Sequence, residues 1–147
     1  MRYLMVDKIL EWEAGKKIRG VKNIAMSEDF LEHHFPKNPV MPGVLLLEAL
    51  AQLAGWLEAA SSDFRSWCLI RRVRQSHFYG FAFPGDRVEI EVEVKANPAE
   101  GEKTFRGLCL VDGKKKVVAE FDGKIVALAE FDDVGERREA FRLLTRG

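Results

Sequence analysis

The stretch VLLLEALAQLAGWLEAA, from Val44 to Ala60, constrains this chain more than anything else in it. Ala, Leu, Glu and Gln dominate it, so it is strongly helix-forming. An ordinary surface helix keeps a polar face, but this one has only Glu48, Gln52 and Glu58 as polar members. A helix that is apolar nearly all round must be buried nearly all round. The rest of the chain therefore has to supply a sheet that curls about it, an α+β layer arrangement. Pro42 suits the first helical position, where its missing N–H costs nothing, and Ser61–Ser66 closes the helix.

The flanking sequence reads as that sheet. Lys16–Met26 alternates around Ile18, Val21, Ile24 and Met26 and predicts a first strand. Trp67–Arg74, Val88–Lys95, Thr104–Val111 and Lys115–Leu128 predict four more, and Val88–Lys95 alternates without a fault, giving one wet and one buried face. Pro84-Gly85-Asp86, Asn97-Pro98 with Gly101, and Asp112-Gly113 separate them; the last is a hairpin signal. Residues 3–10 fit a short strand or a helical turn, and Glu11–Gly15 reads as a turn. Asp132–Leu144 mixes charge with Val134, Ala140, Phe141, Leu143 and Leu144, which predicts a C-terminal helix. At 147 residues, 47% of them apolar, one domain can build a core without disulfides or metal. Its expected bounds are residues 1–130, with 131–147 as a C-terminal extension.

Charge and cysteine content narrow the class of function. Lys+Arg and Asp+Glu each total 23, so bulk attraction to nucleic acid is excluded, although a local basic patch is not. Cys68 and Cys109 lie in apolar stretches with no CxxC or Cys/His spacing, which argues for reduced thiols and against a structural zinc site. Asp7 and Lys8 interrupt any signal-peptide core. The longest unbroken apolar run, Val44–Leu47, is short of the ~20 residues a membrane span needs. A soluble cytoplasmic domain is expected, with no membrane and no nucleic-acid partner.

The chemistry-bearing stretch lies just before and inside the helix. Ser27–Pro42 is a long loop, since Pro36, Pro39 and Pro42 exclude a helix there, and long loops in compact domains usually carry function. Glu48 and Gln52 are four apart and share a face of an otherwise apolar helix. An ionised carboxylate on such a face is costly, so Glu48 needs a partner or a proton, and a protonated carboxyl is a ready general acid. A histidine of the His33-His34 pair, in the loop that leads in, is a natural partner. The helix N-terminus at Pro42–Gly43 offers free N–H groups to a carbonyl oxygen that becomes negative, and Gly43 has no side chain in the way. The same spacing also suits a solvated histidine, a surface glutamate and a glutamine at a subunit seam.

The segment HFPKNPVMPGVLLLEALAQLAG resembles the signature of the 3-hydroxyacyl-[acyl-carrier-protein] dehydratases of fatty acid synthesis, which have the hotdog fold. His34, Phe35, Pro36, Pro39, Pro42, Gly43, Val44, Leu45, Glu48, Ala49, Ala51 and Gln52 all match that pattern. Val6-Asp7-Lys8, Gly15-Lys16-Lys17 and Pro84-Gly85-Asp86 extend it, while the tail beyond about Glu130 lies outside it. The resemblance implies a long helix wrapped by a curved antiparallel sheet, a homodimer or trimer of dimers, and an active site shared across the dimer. It implies that His34 removes the C2 proton of the acyl thioester and that Glu48 protonates the departing 3-hydroxyl. Gly43 N–H would polarise the thioester carbonyl, and Gln52 would support Glu48. No metal or redox cofactor is implied, and the partner is acyl carrier protein. Glu48 in place of aspartate favours plain dehydration over the sister branch that also isomerises.

The chain also departs from that pattern. His33 and Lys37 stand where the family has glycines. In Gln75–Phe83 the family has basic residues and a proline, whereas this chain carries Phe78, Tyr79, Phe81 and Phe83. These four are candidate tunnel-lining residues, against a core or interface cluster as the plainer reading. Because the carrier is acidic, a local basic rim is expected, with Lys37, Arg71, Arg72 and Arg74 as candidates. A hotdog acyl thioesterase and a non-catalytic acyl-carrier-binding subunit are the alternatives. The presence of both His34 and Glu48 ranks dehydration above them.

Overall fold

A computed structural model describes residues 3–147. The elements in chain order are β1 (Lys8–Glu13), β2 (Lys17–Asn23), α1 (Gly43–Ser61), β3 (Ser66–Phe78), β4 (Arg87–Ala96), β5 (Glu102–Val111), β6 (Lys114–Ala127) and α2 (Val134–Thr145). The strands form one antiparallel sheet in the order β1-β2-β4-β5-β6-β3, so β1 and β3 are its edges. The sheet curls about α1, as the apolar helix required.

Leu46, Leu50, Leu53 and Leu57 of α1 are buried against the strands, together with Ile18, Ile90, Val92, Phe105 and Phe121. At Gly55 the helix meets β3 directly: a Cβ there would lie 2.2 Å from Trp67 Cζ2. Although α1 is 19 residues with a mean hydropathy of 1.3, long and apolar enough to cross a membrane by that test, the sheet covers over half of it, 56%. The apolar run is thus longer than Val44–Leu47 suggested, and its role is that of a core helix. Glu58 is the one α1 carboxylate taken inside; it accepts from Ser66 Oγ at 2.9 Å and from Lys103 Nζ at 2.6 Å.

The outer face of the sheet is a ladder of opposite charges. Glu13 faces Lys17, Lys17 faces Glu93, Glu93 faces Arg106 and Arg106 faces Glu120, across five strands. Opposite charges directly across from one another contribute roughly 0.2–1 kcal/mol per pair, and a one-residue slip would break the row and turn the apolar set outward.

Some boundaries differ from the sequence reading. Glu11–Gly15 is not all turn: Glu11, Trp12 and Glu13 pair with Arg19, Ile18 and Lys17, so β1 runs to Glu13. The helix opens one residue later than expected, because Pro42 is extended (ψ 127°) and caps α1 instead of joining it. The Ser27–Pro42 loop holds one 3-10 turn, Asp29–Glu32, ahead of its prolines. β3 is longer than expected, and its register with β6 slips between Ile70 and Arg72 and again between Val73 and Gln75, leaving Arg71 and Arg74 as bulged residues. Cys68 and Cys109 are free and buried, and burial pushes each thiol up to about 12, so both stay protonated. Helix α2 is capped by Asp133, which accepts from Glu136 N at 2.8 Å. It lays Phe141 against Trp12, Trp56 and Phe64, and stacks the Arg137 guanidinium 4.5 Å from the Trp67 ring.

Candidate active site

The loop that carries His34 is tied down at both ends. At its start, Glu28 pairs with Lys22, a buried β2 lysine that also lies 3.5 Å from Asp7. Leu31 is buried beneath it. Farther on, Phe35 and Asn38 exchange both backbone hydrogen bonds at 3.0 Å, making a tight turn with Pro36 and Lys37 at its tip. His34 O accepts from Val40 N at 2.9 Å, and Met41 N donates to Ala82 O at 2.8 Å. The His34–Phe35 peptide bond is cis.

This frame sets the histidine tautomer. His34 Nδ1 lies 2.9 Å from Val40 O. A carbonyl oxygen only accepts, so Nδ1 carries the proton and the neutral ring presents a free lone pair at Nε2. The ring stacks on Phe35 at 4.1 Å between centroids, which fixes its plane. His33, beside it, is exposed.

Glu48 and Gln52 meet as their spacing predicted. Gln52 Nε2 donates to Glu48 Oε1 at 3.0 Å and to Tyr3 O at 2.8 Å, while Gln52 Oε1 accepts from Met5 N at 2.9 Å. The amide is thus oriented by the chain that precedes β1. Glu48 itself is exposed in the single chain, not buried as its apolar helix suggested, because Val44 and Glu48 lie on the one stripe of α1 that the sheet leaves uncovered. Among the described residues no hydrogen bond or ion pair joins Glu48 to His34.

Between the two lies the helix N-terminus. Pro42 O accepts from Leu45 N at 3.0 Å, and Pro42 offers no side-chain cap, so Gly43 N–H and Val44 N–H have no partner among the described residues. The Phe78 ring closes against Gly43: a Cβ there would sit 2.6 Å from Phe78 Cδ1. Phe78 ends β3 opposite Val117 and leads into Tyr79, Phe81 and Phe83, all exposed. These aromatics are not a core cluster. Of residues 78–83 only Ala82 is buried, and its bond to Met41 holds the arm alongside the entry to α1.

The expected basic rim is only partly available. Arg74 Nε donates to both Asp122 oxygens, at 2.9 and 3.1 Å, and Arg71 pairs with Glu102. These are the two bulged residues, whose extra length turns the side chains back across the sheet. Arg72 and Lys37 are exposed and have no ion-pair partner among the described residues. Sequence reading missed the groups that orient the site, namely Val40 O, Tyr3 O and Met5 N, because backbone atoms leave no signature. It also missed Lys114, Lys115 and Lys116, a run in plain view after Asp112-Gly113.

Comparisons with known proteins bear on the family and the fold. The FabA-like domain family matches residues 1–130. The 3-hydroxyacyl-[acyl-carrier-protein] dehydratase FabZ of Geotalea uraniireducens is 40% identical over 136 residues, covering 87% of this chain and 83% of that one. Its counterpart from Janthinobacterium sp. is 39% identical over 121 residues, covering 80% and 77%. Among solved structures, a hot-dog-like protein from Thermanaerovibrio acidaminovorans superposes with a TM-score of 0.64 over 92% of this chain and 96% of that one, at 18% identity. By these matches over most of its length, and by its curled sheet about one long helix, the chain belongs to the FabA-like family of hotdog-fold dehydratases.

Proposed function

We propose that this protein dehydrates 3-hydroxyacyl thioesters carried on acyl carrier protein to trans-2-enoyl thioesters, in fatty acid or related acyl-chain synthesis. The observation that carries the reading is His34, whose Nδ1–H is held by Val40 O so that Nε2 is the free base. Nε2 takes the C2 proton, and the C–H pair becomes the C2=C3 bond. The C3–O bond breaks, and the Glu48 carboxyl gives its proton to the departing hydroxyl, which leaves as water. Gly43 N–H, unpartnered at the start of α1, donates to the thioester oxygen as negative charge builds there. Removing one such donor typically costs about 10²–10³ in rate. Gln52 orients Glu48.

A second copy of the chain completes the site in this reading. Strand β3 is a 13-residue edge with unpaired backbone groups on one side. Leu69, Ile70, Val73 and Phe78 are exposed on it, and Val44 of α1 is 66% exposed beside Glu48. Two such edges paired antiparallel would cover this apolar strip and bring one copy's His34 toward the other's Glu48. The dimer, or a trimer of such dimers, is a cytoplasmic enzyme in this reading, with residues 1–130 as the catalytic unit and 131–147 as an appended helix.

The test is turnover of purified protein with 3-hydroxyacyl-carrier thioesters, followed by enoyl absorbance. His34→Ala and Glu48→Gln are each expected to abolish the signal while the oligomer, read by sedimentation, persists. Release of free thiol in place of enoyl product would make the protein a thioesterase. Activity retained in either variant would remove the role assigned to that residue.

A further inference from the structure

We infer that the β5–β6 hairpin, through Lys114, Lys115 and Lys116, is the docking surface for the acidic carrier protein. The inference rests on the dehydratase reading and gives that site its partner contact. Among the described residues no carboxylate lies within ion-pair distance of any of the three ammonium groups. Several arginines of this surface are neutralised, Arg71 by Glu102, Arg74 by Asp122, Arg19 by Glu11 and Arg138 by Asp63, whereas Arg72 and Lys37 stand alone and, among the described residues, only the hairpin gathers three consecutive cations without a partner. Three consecutive lysines without an ion-pair partner form a positive run that a net charge of zero conceals, although Lys115 shares a groove on the outer face of the sheet with Glu91 and Glu93.

Position gives the field its use. Val117, the next residue, pairs with Phe78, and Phe78 presses on Gly43, the proposed carbonyl donor. Lys116 O accepts from Tyr79 N at 2.9 Å, and Lys116 Nζ lies 3.4 Å from where a Gly80 Cβ would be. The register between β5 and β6 slips at this point, leaving Lys116 as the extra residue, and a bulge re-aims a side chain. Lys116 is thereby turned over the backbone of the aromatic arm, while Lys114 and Lys115 are exposed. Lys116 thus stands beside the arm that leads to Phe78 and Gly43, with Lys114 and Lys115 following it out to the hairpin tip. A large acidic partner holding the acyl thioester is steered and oriented by such a patch.

The experiment compares wild type with the triple variants Lys114→Glu/Lys115→Glu/Lys116→Glu and Lys114→Gln/Lys115→Gln/Lys116→Gln. Three substrates carry the same acyl group: carrier-protein, coenzyme A and N-acetylcysteamine thioesters. The ratio of kcat/KM for the carrier thioester to that for the N-acetylcysteamine thioester is expected to fall about tenfold or more on charge reversal and less on neutralisation. The wild-type ratio is expected to fall as salt shortens the Debye length below ~10 Å. An unchanged ratio, or equal losses on all three substrates, overturns the inference. A loss shared by the coenzyme A thioester but not the N-acetylcysteamine thioester also overturns it, assigning the lysines to nucleotide phosphates. Absence of wild-type turnover on every substrate would instead defeat the dehydratase reading. Binding of carrier protein to the charge-reversed variant, read by fluorescence anisotropy, then still decides the docking surface: unweakened binding overturns it.

Discussion

Replacing Gln52 by leucine separates the structural from the catalytic content of the site. The side chain keeps its bulk but loses three hydrogen bonds: to Glu48 Oε1, to Tyr3 O and from Met5 N. Tyr3 is exposed, so water replaces its partner, whereas Met5 is only 2% exposed and its N–H is left buried without an acceptor. An orphaned buried donor costs about 1–3 kcal/mol. For a chain of this size about 2 kcal/mol lowers Tm by roughly 4–8 °C, measured at fixed protein concentration because oligomers couple the two. Glu48 also loses the one donor that holds its carboxyl among the described residues. A catalytic group displaced by an ångström can cost 10²-fold, so kcat is expected to fall roughly 10- to 100-fold with KM little changed. Thermal scanning and steady-state assays on one preparation read both effects. A variant with lowered Tm but kcat within about twofold of wild type would refute the positioning argument and leave Gln52 as a brace for the N-terminal segment.

Gly55→Ala supplies the matching control in the core: its Cβ would overlap the Trp67 ring, which is also boxed in by Trp56 and Arg137. We expect a loss of about 1–3 kcal/mol in denaturant unfolding. The hydrogen bond from Arg74, then that from Thr104, holds the Asp122 carboxyl below the usual carboxylate range. The stabilisation is therefore full above the unfolded value near 4 and lost as pH falls through the depressed folded one. Asp122→Asn should flatten that acid limb in a plot of Tm against pH, and an unchanged limb would assign acid unfolding to other carboxylates. Phe141→Ala removes the ring that touches Trp12, Trp56 and Phe64. It is expected to cost about 2 kcal/mol, less than for a fully buried ring, and to red-shift tryptophan emission. Unshifted emission would mean that α2 does not shield those rings in solution.

Much of the fold was written in local pattern. The all-round apolar helix demanded a wrapping sheet whatever the details, and Val88–Lys95 declared which face of β4 is buried. His34, Gly43, Glu48 and Gln52 were legible for a related reason, since side-chain types in short-range spacing leave a signature. The arginines of β3 were not. Their sequence is compatible with a free basic rim, and only the two bulges, set by pairing with β6, decided that Arg71 and Arg74 are consumed by Glu102 and Asp122.

The sequence by itself determined the class of fold and the inventory of candidate site residues, because helix periodicity, strand alternation and proline placement act between residues close in the chain. Tertiary structure decided orientation. Val40 O chose the histidine tautomer, Tyr3 and Met5 aimed the amide that holds Glu48, and the uncovered stripe of α1 left that carboxyl exposed. Those outcomes depend on backbone atoms and on segments nearly fifty residues apart (|i−j| of 47 and 49 for the Gln52 bonds), which are brought together only when the sheet closes on the helix.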